Sequence, residues 1–143
     1  MHKGFRGTYT VMITPFNEQQ NVNVKALRDL TEWQIQQGIH GLIPLGSTGE
    51  FLSMTEDEKA LVAETVIQTA AKRVPVLIGT GAEDTRDVVR LSRQAETLGA
   101  DGVMIIPPFY CTPTEDELYH HYKTVAEAIS IPIMVYNNPA TAN

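Results

Sequence analysis

Five short apolar runs alternate with four longer segments in which apolar residues return every three or four positions. The runs cover residues 8–14 (TYTVMIT), 41–45 (GLIPL), 76–78 (VLI), 103–106 (VMII) and 133–136 (IMVY), and Gly or Pro bounds most of them. Their β-branched and aromatic content predicts strands. Apolar residues at successive rather than alternate positions predict burial on both faces, hence a parallel sheet with right-handed crossovers. The periodic segments predict helices with marked ends. Asn23 caps the first, which runs to about Gln37 with Val24, Leu27 and Leu30 on one face and Gly38 as its stop. Thr55 and Glu58 stand in capping-box spacing before the second, which runs from Glu56 to about Lys72 with Val62, Val66, Thr69 and Ala70 facing inward. Asp84 caps the third, striped by Val88, Leu91, Ala95 and Leu98 and stopped by Gly99. Thr114 and Glu117 form another capping box, ahead of the stripe Leu118, Tyr122, Val125 and Ile129. The predicted order is β-α-β-α-β-α-β-α-β.

A two-module repeat refines the fold class. Gly38-x-x-Gly41 ahead of strand two returns as Gly99-x-x-Gly102 ahead of strand four, and Val74-Pro75 ahead of strand three returns as Ile131-Pro132 ahead of strand five. A (β/α)8 barrel fills its interior in layers from alternate strands, so a two-module regularity suits it better than a doubly wound open sheet. Four and a half βα units make about half of such a barrel, which typically takes ~250 residues. The expectation is therefore an α/β parallel half barrel, residues 1–143 forming the N-terminal part of a single, incomplete TIM-barrel domain. Its strands should lie in chain order with every helix on one side, and strands one and five should be open edges prone to association.

Composition narrows the class of partner. With 43% hydrophobic and 20% charged residues the chain reads as soluble and globular, and a net charge of −6 argues against a nucleic-acid surface. No block of like charge suggests a tail. Residues 1–6 contain no apolar secretory core, and the apolar runs are far too short to span a membrane. Cys111 is the single cysteine, so no internal disulfide can form, which fits a reducing cytoplasm.

Candidate chemistry lies where strands end. Gly46-Ser47-Thr48-Gly49-Glu50 follows strand two, and in parallel α/β folds ligands bind at that end. Two hydroxyls and free backbone N–H groups suit a carboxylate or phosphate; the plainer reading is a tight turn using Gly for positive φ. Gly79-Thr80-Gly81-Ala82 ends strand three, Pro107-Pro108-Phe109-Tyr110 ends strand four and Tyr136-Asn137-Asn138-Pro139 ends strand five. Singly, tyrosines at strand ends are ordinary rim residues; in a barrel the four ends share one face. Glu50 reads equally as a buried hydrogen-bonding acid or as a helix-start residue. His120 and His121 are adjacent on a helix and point apart, unlike an i,i+4 metal pair, while His2 and His40 are isolated. Cys111 reads as a bystander thiol beside Tyr110.

These four stretches, in this order and spacing from about Gly7 to the last residue, resemble the dihydrodipicolinate synthase/N-acetylneuraminate lyase family of Schiff-base (class I) aldolases and dehydratases. The resemblance implies a (β/α)8 barrel assembled as a homotetramer of tight dimers, without metal or organic cofactor. It implies a lysine on strand six that forms an imine with a 2-oxo acid such as pyruvate. Ser47 and Thr48, with Gly49, would bind the substrate carboxylate. Tyr136 would shuttle protons beside the imine. Tyr110 would cross the tight-dimer interface into the partner's site and complete a relay through Ser47. The chemistry suits these residue types: an iminium is an electron sink that lets C3 exchange a proton or carbon, and a tyrosine, a poor base at its free pKa of about 10, is activated by a nearby cation.

Two departures shape the functional expectation. Synthases of the family carry an arginine for the second substrate's carboxylate where this chain has Thr141, and Tyr136-Asn137-Asn138-Pro139-Ala140-Thr141 looks more like members that cleave or dehydrate 2-keto-3-deoxy sugar acids. Strand six and its lysine are not among these residues. Lys3 precedes the first strand, and Lys25, Lys59, Lys72 and Lys123 are expected on helices. The leading expectation is thus a pyruvate-type 2-oxo-acid lyase, an aldolase or dehydratase of a sugar acid, inactive as this chain alone. The alternatives are dihydrodipicolinate synthesis from pyruvate and aspartate semialdehyde, or a non-catalytic flavodoxin-like module that binds a ligand or partner.

Overall fold

Helix ends obey the local signals. In the computed structural model, which describes residues 5–139, each of the four long helices starts on a residue whose side chain accepts a backbone N–H. The chain divides into two compact units, Met1–Leu77 and Ile78–Asn143.

In the first unit, β1 (Tyr9–Val11) leads through a turn to α1 (Val24–Gln36), then to β2 (Gly41–Ile43) and α2 (Glu56–Ala70). β1 and β2 are parallel, with Tyr9 opposite Gly41, Thr10 opposite Leu42 and Val11 opposite Ile43. Gly41 leaves room for the Tyr9 ring, which a Cβ at that position would force aside. His40 is not an idle histidine: its Nδ1 accepts the Thr8 N–H at 3.0 Å while its own N–H donates to the Thr8 carbonyl at 3.0 Å, extending the pairing below the strands. α1 packs on α2, burying Leu27 and Thr31 of one and Val62, Ala63, Val66 and Ala70 of the other. Arg73 adds a two-pronged ion pair to Glu32 at 2.9 and 2.6 Å, and this contact holds the Glu32 carboxyl down to about 2. Both side chains are substantially exposed, so the pair orients the helices more than it stabilises them.

In the second unit the strand order is β3 (Leu77–Gly79, starting one residue before the unit), β4 (Gly102–Ile105), β5 (Ile133–Val135). β4 and β5 are parallel, in register Val103 to Ile133 and Ile105 to Val135. α3 (Thr85–Leu98) and α4 (Glu115–Ala128) pack together. Gly99 takes φ +93° and closes α3, its N–H reaching back into the last turn. His121 is buried on α4, its Nδ1 sharing a hydrogen bond of 2.8 Å with the Thr85 hydroxyl, and burial lowers its pKa. His120, its neighbour, is exposed, so the two do diverge.

Three expectations change. Burial at successive positions describes β2 and β4, whereas around β1 it alternates: Met12 and Thr14 are buried, but Ile13 is 55% exposed, and at the end of β5 Val135 is 59% exposed. A period of two marks strands with one face uncovered. α2 ends at Ala70 rather than Lys72, because Ala71 and Lys72 both adopt left-handed backbone (φ 47° and 60°) without a glycine to announce it. Lys72 therefore follows the helix instead of lying on it. Among the described residues no helix is long and apolar enough to cross a membrane.

Candidate functional site

After β2 the chain does not make the glycine turn expected of Gly46–Glu50. The left-handed residues are Leu45 (φ 62°) and Glu50 (φ 61°), while Gly46 is extended and Ser47–Gly49 form one turn of 3-10 helix. A second such turn, Phe51–Ser53, follows, with Phe51 and Met54 buried beneath it as anchors ahead of the Thr55 cap. The N–H groups of Gly49 and Glu50 close the first turn onto the carbonyls of Gly46 (2.9 Å) and Ser47 (3.1 Å). The N–H groups of Ser47 and Thr48, at the turn's N-terminal side, take no part in closing it, and both residues are exposed. Such first-turn donors are what a small anion requires. Glu50 is exposed and stands at the start of the second 3-10 turn, which fits the helix-start reading and not the buried acid.

Gly49 serves by its size. A Cβ there would lie 2.8 Å from the carbonyl oxygen of Met12 and 3.4 Å from the Thr14 hydroxyl, and Thr14, 5% exposed, donates to the Gly49 carbonyl at 2.9 Å. Thr14 was not visible as a site residue in the sequence; its only signal is a hydroxyl at the last position of an apolar run. Gly49→Ala forces the Cβ against fixed backbone, so it should destabilise the fold by roughly 1–3 kcal/mol, the usual cost of overpacking. Denaturant unfolding with an unchanged m-value would read this directly, and wild-type stability would show that the two backbones can separate freely.

In the second unit, Tyr136 continues β5, its N–H donating to the Ile105 carbonyl at 2.9 Å. The same carbonyl accepts the Tyr122 hydroxyl at 3.1 Å, so helix α4 is pinned to the end of β4 at the carbonyl that Tyr136 also uses. Burial pushes the Tyr122 hydroxyl up to about 12, making it a fixed donor. A cavity of about 500 Å³ opens here, with Leu118, Tyr122, Val135, Tyr136 and Asn137 in its walls. Tyr110 lies past β4 with its side chain 90% exposed. Thr80, by contrast, is buried and shares a hydrogen bond of 2.9 Å with Ser92 of α3, so Gly79–Ala82 is helix–strand packing. Gly81 is close-packed too, since a Cβ there would meet Ile106 at 2.6 Å.

The cations are placed for the surface. Lys25 pairs with Asp29 and Lys123 with Glu127 along their own helices, and Lys59 lies 5.8 Å from the Phe51 ring centroid. Among the described residues no group of three His, Cys, Asp or Glu side chains is arranged to hold a metal ion. Cys111 is exposed.

Parallel strands, capped helices and polar turns at the C-terminal ends of strands define a parallel α/β protein. The profile of the dihydrodipicolinate synthetase family matches residues 4–143, and the chain belongs to that family, whose members are lyases. It is 47% identical over 136 residues to a 4-hydroxy-tetrahydrodipicolinate synthase of Nitrobacter hamburgensis, covering 95% of this chain and 46% of the relative. Among solved structures, it superposes on the chloride-inhibited dihydrodipicolinate synthase of Acinetobacter baumannii, complexed with pyruvate, with a TM-score of 0.95 at 37% identity over 97% of this chain and 48% of that one. It also matches YagE, a prophage protein of the same family from E. coli K12, in complex with pyruvate, with a TM-score of 0.93 at 35% identity, over 96% of this chain and 46% of that one. The chain spans about half the length of these relatives, and its elements correspond to the first (βα)4β units of a TIM barrel. That fold replaces the flavodoxin-like alternative.

Proposed function

We propose that the complete protein is a lyase that binds pyruvate as a lysine imine and condenses it with aspartate semialdehyde, the 4-hydroxy-tetrahydrodipicolinate synthase reaction. The observation that carries this is the exposed Ser47–Thr48 turn just after β2, whose N–H groups are not used in closing the turn and whose residue types suit a small carboxylate. The synthase names of the relatives support the choice of reaction, and two structural neighbours hold pyruvate. In this reading Ser47 and Thr48 hold the carboxylate beside Gly49. Tyr136 moves the proton off C3 of the imine, and the resulting enamine carbon attacks the aldehyde. The exposure of Tyr110 suits a side chain that completes the relay in a partner subunit of a homo-oligomer.

One observation favours a second reading. Thr141, outside the described residues, stands where synthases carry an arginine, and Asn137-Asn138-Pro139 precedes it. On that reading the same imine chemistry cleaves or dehydrates a 2-keto-3-deoxy sugar acid. Both substrates should be offered to the purified complete protein. Pyruvate-dependent consumption of aspartate semialdehyde is the expected result. Turnover of 2-keto-3-deoxygluconate alone would move the assignment to the sugar-acid lyases, and inertness toward both would remove it.

A further inference from the structure

We infer that Glu83 is a positioning residue that aims Tyr110, an inference that rests on the role proposed for Tyr110 and extends it. Glu83 lies in the β3–α3 loop, and its Oε1 accepts the backbone N–H groups of both Phe109 and Tyr110, each at 2.9 Å. Pro107 and Pro108 have no N–H, so these two amides are the first donors that the chain offers after Ile106. Glu83 thus takes both from a segment 26 and 27 residues away. Its own backbone is set by the neighbouring cap, since Asp84 accepts the Arg86 N–H at 2.8 Å and starts α3. Tyr110 is 90% exposed in this chain, so the place from which its side chain departs is set by the backbone that Glu83 holds, and contacts in the proposed partner site select its rotamer.

The geometry dictates how substitutions should differ. Both bonds end on one oxygen, so a glutamine carbonyl, with two lone pairs, can accept both. An aspartate is one methylene shorter and cannot reach, and an alanine leaves both amides to water. In the complete protein, Glu83→Ala and Glu83→Asp should each lower kcat about tenfold, as a displaced catalytic group does, with pyruvate capture unchanged. Glu83→Gln should stay within about threefold of wild type, because it keeps the acceptor. Hydrogen exchange at the Phe109 and Tyr110 amides should quicken in the alanine and aspartate variants only. In a Tyr110→Phe background, Glu83→Ala should cost nothing further, since the two act as one unit. Unchanged amide exchange in Glu83→Ala would overturn the brace. Faster exchange with wild-type kcat, while Tyr110→Phe is impaired, would overturn the positioning role alone. A Tyr110→Phe enzyme at full rate would overturn the role proposed for Tyr110, and this inference with it.

Discussion

Tyr136→Phe in the complete protein should lower kcat by about 10²–10⁴, the span covered by loss of a general acid–base group, while pyruvate is still captured. The change removes one oxygen and leaves everything that holds the residue. Its N–H donates to the Ile105 carbonyl whatever the side chain, and its ring remains a wall of the cavity beside Leu118 and Val135. Thermal stability should therefore match wild type, which separates a chemical defect from a structural one. Nor can the neighbouring phenol take over. The Tyr122 hydroxyl already donates to the Ile105 carbonyl, and burial holds it up to about 12, so it neither releases nor collects protons near neutrality. Steady-state kinetics with rapid-mixing measurement of the first turnover would test this. A Tyr136→Phe enzyme within threefold of wild type would mean that protons at C3 travel by another route.

Borohydride reduction in the presence of pyruvate should leave no specific adduct on the 143-residue chain and one adduct per subunit on the complete protein. An imine needs a neutral amine within reach of a carboxylate held at Ser47 and Thr48. Amines in water are protonated at neutral pH and react poorly as nucleophiles. Lys25 and Lys123 are engaged with Asp29 and Glu127 on exposed helix faces, and Lys59 packs along Phe51. Intact mass followed by peptide mapping should place the single adduct on a lysine of the sixth strand. An adduct at any lysine of the present chain would show that the reacting amine had been misassigned. No adduct on the complete protein would dismiss the imine mechanism.

Local chemistry was the readable part of this molecule. The capping boxes at Thr55/Glu58 and Thr114/Glu117 are both fully formed, as is the Asn23 cap, because each is decided within four residues. The Gly/Pro lead-ins also located the strands well, although the paired segments are shorter than the apolar runs. The rest depends on partners distant in sequence. Leu45 and Glu50 adopt left-handed backbone that their side chains disfavour, and the double 3-10 turn is held by the burial of Phe51 and Met54 together with the Thr14 hydroxyl on the Gly49 carbonyl. Thr80 is held by Ser92, twelve residues further on, a partner that no local pattern announces. Thr14 and Glu83 are single polar residues whose importance lies in which carbonyl or amide faces them, 35 and 26 residues away. The four strand-end motifs were legible as a set because their spacing is that of a family, and a family pattern carries long-range information that one sequence otherwise lacks.

The exposed Cys111, next to Tyr110 and without another cysteine anywhere in the 143 residues, makes this loop addressable by thiol chemistry. A small environment-sensitive fluorophore attached there would sit one residue from the tyrosine assigned to the neighbouring subunit's site, with no competing attachment point within these residues. Its emission and its accessibility to a quencher would then report, in solution and in real time, whether subunits meet through this loop and how long they remain together.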